Sequence, residues 1–539
     1  MAYTSAPEKQ TYGPHKIPAA YDFNLRPNSK FYDGSTTFQD AGMINLLSRK
    51  MQGPDGNPHV VAETRSAING FQIANSNLIM RGMHVWEFSS SATYFFAVCG
   101  TGVYTSQDGF TWTQVDTLTT NATTPVRFTE FISSTNVKKL ILLDGVEGYV
   151  YTGVTAGTEI TDGDFPTPHV PFPVVIDAYL FVAKAGTGDI YNSNLDDPAV
   201  WTAGDFISSE LYPDDIQALV KVNNYLLAIG TEGSEYFYDA ANPTGTPLAR
   251  YEGGSLGFGC RIPNSIASNK NTVILIANNN DGENFIKMID NFKATDVPSN
   301  PIIPMLNHRL TTASNNTTAG AVRGYMFRQH GKLYYGLAFQ GDTAAPVLLN
   351  GAWAYSFDTG WWSELRYGAT GTAPFPVYFS GGGVRYGIGT FVGGHVNSRP
   401  FFAQIKEGAA NSFTNTAEDG VGVGLAAPTT AAIYTELRTP NIDGGTSNVK
   451  FMSRFGVNVQ ESTSSTSTSG TPLEIAVSYS DDDYATFSTP RTLIFGASLD
   501  FPFLTQLGKF RRRAFKLTYA STSFLRFHDM EMDINKGQQ

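Results

Sequence analysis

The feature that most restricts what this chain can fold into is a run of similar strand–turn–strand units. Short apolar strands recur between Gly, Asn and Asp turns: TYFFAVCG (93–100), KKLILLDG (138–145), AYLFVAKA (178–185), NYLLAIGT (224–231), NTVILIANN (271–279), KLYYGLAFQ (332–340) and VRYGIGTFVGG (384–394). Each is followed by a second strand, GVYTS after the first and EGYVYTG after the next. The period is loose, about 30–50 residues, and with about four strands per unit it is that of a β-propeller blade. One small twisted sheet cannot bury both faces, whereas sheets packed face to face around an axis can. The leading strand of each pair is almost continuously apolar, as expected of a strand covered on both faces, and the next alternates more. The pattern predicts an all-β fold with a β-propeller of six or seven blades.

The composition agrees. Charged residues make up 16% of the 539, against ~25% in an average soluble domain. Turn and strand formers fill the difference, with 53 Gly, 26 Tyr and 37 Phe. The net charge of −11 argues against adhesion to phosphate backbones, which needs clustered Lys and Arg. It leaves room for DNA passing nearby without sticking. The first residues lack a basic segment followed by an apolar run, so no secretion signal is expected. No apolar stretch approaches the ~18 residues of a membrane span. Cys99 and Cys260 sit in strand-like surroundings and read as reduced, packed thiols.

Three regions follow. Residues 1–65 are Pro-, Asn- and Gly-rich with one apolar piece, Met43–Leu47, and read as an N-terminal arm for docking or assembly. Residues 66–429 carry the repeat. Within them, 302–322 lacks alternation and reads as a short helix or an extended crossing. A low-complexity stretch around 408–430 reads as a linker or long loop. Residues 430–539 alternate in a different style, as in VKFMSRFGVNVQ (449–460) and RRRAFKLTYA (511–520), and predict a C-terminal β-sandwich, with SSTSTSG (464–470) as a hairpin tip.

Candidate chemistry is thin. Ser106-Gln107-Asp108-Gly109-Phe110-Thr111-Trp112 is close to the Asp-box of sialidase-type propellers, a turn device in which the carboxylate accepts backbone N–H bonds. Gly253-Gly254-Ser255-Leu256-Gly257 matches a nucleophile elbow in letters, but no helix pattern follows it. Asp196-Asp197, Asp214-Asp215 and Asp481-Asp482-Asp483 lack calcium-loop spacing and read as solvated turns. His308, His330 and the other histidines lack zinc spacing. Lys509–Lys516 holds the one basic cluster. Salt bridging across a subunit interface suits it better than nucleic acid, because Arg forks carboxylates well. Trp112, Trp201, Trp361 and Trp362 fall near unit ends and are expected to wedge neighbouring blades apart from solvent. No catalytic, cofactor or metal residue is predicted.

The order of features resembles the tail nozzle or tail hub proteins of short-tailed phages, the packaged-DNA stabilisation family. The matching pieces are LLAIGTEGSEYFYDAAN (226–242), LARYEGGSLGFGCRIPNSIASNKNTVILIANNNDG (248–282), AVRGYMFRQHGKLYYGLAF (321–339) and WAYSFDTGWWSEL (353–365). VSYSDDDYATFSTPRTLIFG (477–496) and LGKFRRRAFKLTY (507–519) resemble the closing β domain, with INLLSRKM (44–51) and TRSAINGF (64–71) the weaker N-terminal match. The resemblance covers roughly two-thirds of the chain and carries no catalytic motif. It implies a propeller with a platform-like β domain, six copies in a ring below the portal and adaptor, and a virion part assembled in host cytoplasm. Such a ring extends the channel for double-stranded DNA, retains packaged DNA, takes part in DNA ejection, and anchors tail fibres or spikes and a needle or plug. The alternative is a propeller-type glycan-binding adhesin or sialidase-like tail enzyme, which needs convergent Arg or paired carboxylates at one propeller mouth.

Overall fold

The computed structural model describes residues 15–18, 42–52, 58–66, 68–73, 78–89, 91–109, 111–119, 124–212, 214–242, 244–278, 283–298, 302, 322–339, 352–367, 371, 373–374, 377–381, 391–396, 399–405, 433–443, 447–461, 473–495, 502–521 and 524–536. Six four-stranded sheets stand alone, and a seventh set of four strands is one end of a larger sheet. These are the blades of a seven-bladed propeller. In chain order their innermost strands are Met80–Glu87, Arg127–Ile132, Val174–Ile176, Ala218–Val222, Ala267–Asn269, Val322–Gln329 and Val377–Gly381.

The continuously apolar segments of the sequence are the second strands, where both faces meet a neighbouring blade. Leu140–Leu143, Leu180–Ala183 and Leu226–Ile229 are buried without a break. The apolar clusters lie between blades. Trp86, Phe96 and Val98 of the first blade pack with Leu140, Leu142 and Tyr151 of the second. Ile141 and Phe131 of the second pack with Leu180, Val182 and Trp201 of the third. At ~25 cal/mol per Å2 of apolar surface, these seams dominate the stability of the ring.

The ring closes by a strand from far upstream. Arg399–Ile405 of the seventh blade pairs antiparallel with Ile68–Gln72, in the register Phe401 to Gln72 through Ile405 to Ile68. The fourth strand of the last blade therefore precedes the first blade in sequence.

The C-terminal strands form two facing sheets. One holds Lys450–Glu461, Phe503–Thr505 and Leu525–Lys536. The other holds Ile433–Arg438, Leu473–Ser480, Arg491–Phe495 and Ala514–Ser521. Phe455 and Phe515 stack between them, centroids 4.0 Å apart.

Residues 42–64, which the sequence places in an arm, contribute to both sheets. Leu46–Gln52 and Pro58–Thr64 form a hairpin whose second strand pairs with Leu525–Lys536. Gly42–Ile44 pairs antiparallel with Ile433–Arg438 and parallel with Trp362–Tyr367 of the sixth blade. Met43, Ile44, Leu46 and Leu47 are buried. Their apolar run is too short to show a period, and its partners lie hundreds of residues away. The linker, the 464–470 hairpin tip and all but the end residues of the expected helix or crossing at 302–322 lie outside the described residues; Ile302 is buried and Val322 opens the inner strand of the sixth blade.

Candidate functional site

The sequence motifs resolve into turns and packing. Asp108 Oδ1 accepts from the Thr111 N–H at 2.7 Å and from Ser106 Oγ at 2.9 Å, while Ser106 Oγ accepts from the Gly109 N–H. The Trp112 ring packs 5.2 Å from Phe402 of the seventh blade. A second turn of the same kind, not recognised in the sequence, lies in the sandwich. Asp482 accepts from the Thr486 N–H at 2.9 Å and Ser480 Oγ accepts from the Tyr484 N–H at 2.9 Å. The Thr486 hydroxyl and N–H and the Ser480 hydroxyl all donate to the Asp482 carboxylate and hold its pKa down to about 2. It has one residue more than the first, and Phe487 stands where the first has Trp112.

Ser255 is an exposed residue of the extended outer strand Leu248–Leu256, so the Gly253–Gly257 letters do not form an elbow. Asp196 accepts from the backbone and side chain of Ser134 across the seam between the second and third blades. Asp214 accepts from Thr231 Oγ1 and the Gly233 N–H, fixing a turn of the fourth blade. Among the described residues no group of three metal-ligating side chains converges. Cys99 and Cys260 are free and buried, and burial raises both thiols. His308 lies outside the described residues.

Trp201 packs across the second and third blades, and Trp362 across the fifth and sixth, its Nε1–H donating to Pro298 O at 2.5 Å. Trp361 is different. Strand alternation turns it to the other face, against the sandwich core. Trp86 and Trp353, not singled out in the sequence, are buried in interblade clusters.

Two arginines of the basic cluster are paired within the chain. Arg513 is buried and forks Asp481 through Nε and Nη2, both at 2.7 Å, with its guanidinium 4.0 Å over the Tyr479 ring. Arg512 pairs with Asp483. The acidic run thus partners the basic run, correcting both the solvated-turn reading of Asp481 and Asp483 and the intersubunit reading of these two arginines. Neither run shows its partner in sequence, because they come from different strands of one sheet.

Two constellations stand out. The first is the axial channel, a cavity of about 820 Å3 lined by the innermost strands. A six-residue strand spans about 20 Å, so a cavity giving the centre of a water molecule about 820 Å3 of room along it has a wall-to-wall bore of roughly 10 Å. Its charged lining comprises Arg127, Lys221, Arg328, Glu130 and Asp177, with His84 beside them. His84 Nε2 lies 3.0 Å from Glu130 Oε1, and Lys221 Nζ donates to Val175 O at 2.9 Å. Burial lowers the Lys221 pKa, with Asp177 opposing it. Burial lowers Arg127 to about 10.

The second is the joint between the sixth blade and the sandwich. Asn45 adopts a φ of 56°, in the left-handed region that Asn tolerates. Its N–H donates to Glu364 O at 2.8 Å, and its Nδ2 to Tyr434 O at 2.7 Å. Its Oδ1 accepts from Arg65 Nε and the Arg366 N–H, both at 2.9 Å. Beside it, buried Glu63 is ringed by Arg49, Arg526 and His330. Burial alone would raise the Glu63 pKa, but the His330 hydrogen bond and the two arginines outweigh it and bring it below the usual value. Glu364 runs the other way, raised by burial despite Arg366. The one sequence signal for this joint was the pair of short pieces holding Asn45 and Arg65.

The family model Phage_stabilise, described as bacteriophage P22 Gp10, β-propeller, matches residues 68–376, more than half of the chain. No curated protein matches. Among solved structures, BBS1N in complex with ARL6DN, soaked with mercury, is similar at a TM-score of 0.39 and 12% identity, covering 64% of this chain and 99% of that one. A streptogramin B lyase reaches 0.34 at 8% identity, covering 67% and 97%. BamB from Moraxella catarrhalis reaches 0.37 at 11% identity, covering 68% and 99%. At such scores these likenesses carry no argument about function.

Proposed function

The chain belongs to the family of the bacteriophage P22 Gp10 β-propeller, and from that premise we propose that it is the ring-forming tail nozzle or hub of a short-tailed phage. It is a phage structural protein, and its proposed work is mechanical, without catalysis. The family match over residues 68–376 is the observation that carries this reading.

The physical features support it. A bore of roughly 10 Å cannot pass a duplex whose major groove alone is about 12 Å wide. The DNA path therefore belongs in the middle of a ring of copies, outside each propeller. An acidic chain lining that path repels the duplex and lets it slide. Arg512 and Arg513 of the basic cluster are held by Asp483 and Asp481. The proposed assembly is a homo-hexamer in the virion tail, put together in host cytoplasm. It sits on the portal–adaptor ring, carries fibres or spikes and meets a needle or plug. The sandwich, with exposed Phe451 and Ile494, offers a surface for neighbouring copies or the adaptor.

The test is a phage whose gene for this chain is silenced. Heads should package DNA and then lose it, and purified wild-type virions should bind antibody to this chain at the tail vertex. Particles that retain DNA without the chain, or label elsewhere, would refute the nozzle.

A further inference from the structure

The axial channel holds a cation that the rest of the molecule does not use. Arg127 opens the inner strand of the second blade, and its guanidinium lies 4.6 Å over the ring of Phe172, which precedes the inner strand of the third. Its Nε is buried and has no hydrogen-bond partner. Among the described residues no carboxylate pairs with Arg127. The anions lining the cavity are engaged elsewhere: Glu130 faces His84 at 3.0 Å, and Asp177 accepts from Asn224 and attracts Lys221. Arg127, Lys221 and Arg328 stand with Glu130 and Asp177 in the lining, inside a chain whose net charge is −11. A guanidinium that lines a cavity, rests on an aromatic face and is paired by none of the described carboxylates is arranged for an external oxyanion.

We propose that the propeller channel binds a small oxyanion of the phosphate type, with Arg127 as its anchor. The guanidinium fork matches phosphate oxygens, and the narrow bore admits phosphate or a small phosphate ester while excluding a duplex. The occupant would neutralise Arg127 at the seam of the second and third blades and tie them together. The site is independent of the nozzle reading, since it needs one propeller and no ring.

The test is calorimetric titration of the full chain at fixed ionic strength with inorganic phosphate, and separately with adenosine monophosphate. Saturable binding at one site per chain is expected. R127Q should weaken it at least tenfold, and the exposed R511Q should leave it unchanged. R127K, which keeps the charge without the fork, should fall between and stands in for R127Q if that variant does not fold. Tighter binding of the monophosphate identifies a phosphate ester as the occupant, and equal or weaker binding identifies free phosphate. Absence of saturable binding to the wild-type chain, or equal binding by R127Q or R127K, would overturn the site.

Discussion

The propeller ring and its joint to the sandwich are held in opposite ways. In the ring, neighbours in sequence are neighbours in space, and the seams are apolar: Leu140, Leu142 and Tyr151 against Trp86 and Phe96. At the joint, the partners come from both ends of the chain and the sixth blade, and polar groups do the fastening. Asn45 and Glu63 bind groups more than 250 residues away. Repetition supplies a ring with many equivalent seams. A platform fixed to one blade needs a single defined docking geometry, and buried hydrogen bonds with fixed directions supply that.

The largest test removes what the two regions share. Deleting residues 1–73 takes away the closing strand of the seventh blade and four strands of the sandwich sheets. No cooperative thermal transition should survive, and one that did would mean the regions fold independently. Glu63→Ala leaves two arginines and His330 around a buried gap. It should cost about 3 kcal/mol in urea unfolding, the low end for a broken buried pair because the partners reach solvent. Asn45→Gly keeps the left-handed backbone and loses the side-chain bonds, at about 2 kcal/mol.

Acid should separate the regions without mutation. His169 sits at the seam of the second and third blades, its Nε2 accepting from the Gly145 N–H and its Nδ1 facing Pro166 O, both at 3.2 Å. Burial lowers its pKa from 6.5 to about 4. The unfolded chain takes the proton first, so stability falls as pH drops from 6.5 towards 4, by about 2 kcal/mol at pH 5. Glu63 is lowered, so its contribution is present above 4.5 and is lost only as pH falls through its lower folded value. Unfolding curves from pH 7 to 3 should lose the His169 contribution first and that of Glu63 later, and His169→Gln should flatten the upper part.

What was legible in sequence follows the same division. The blades were readable because each buried strand is a continuous apolar run beside its own turn, and the Asp108 turn and Trp201 wedge are local features. The joint was not. Asn45, Glu63 and Arg65 are ordinary polar residues until strands from distant positions bring them together. Trp361 shows how narrow the margin is: one residue from the wedge Trp362, it belongs to the sandwich. The channel cation Arg127 had no local signal either, since only the circular arrangement of inner strands creates the cavity it faces.

The central claim is that this propeller is one wall of a ring that carries DNA outside each propeller's own bore. A cryo-EM map of the intact tail tests it directly. The predicted result is a closed ring of copies, joined through sandwich and outer blade surfaces, with duplex density on the ring axis and none inside any propeller channel. A tail lacking this chain, or copies arranged with no central passage wide enough for a duplex, would contradict it.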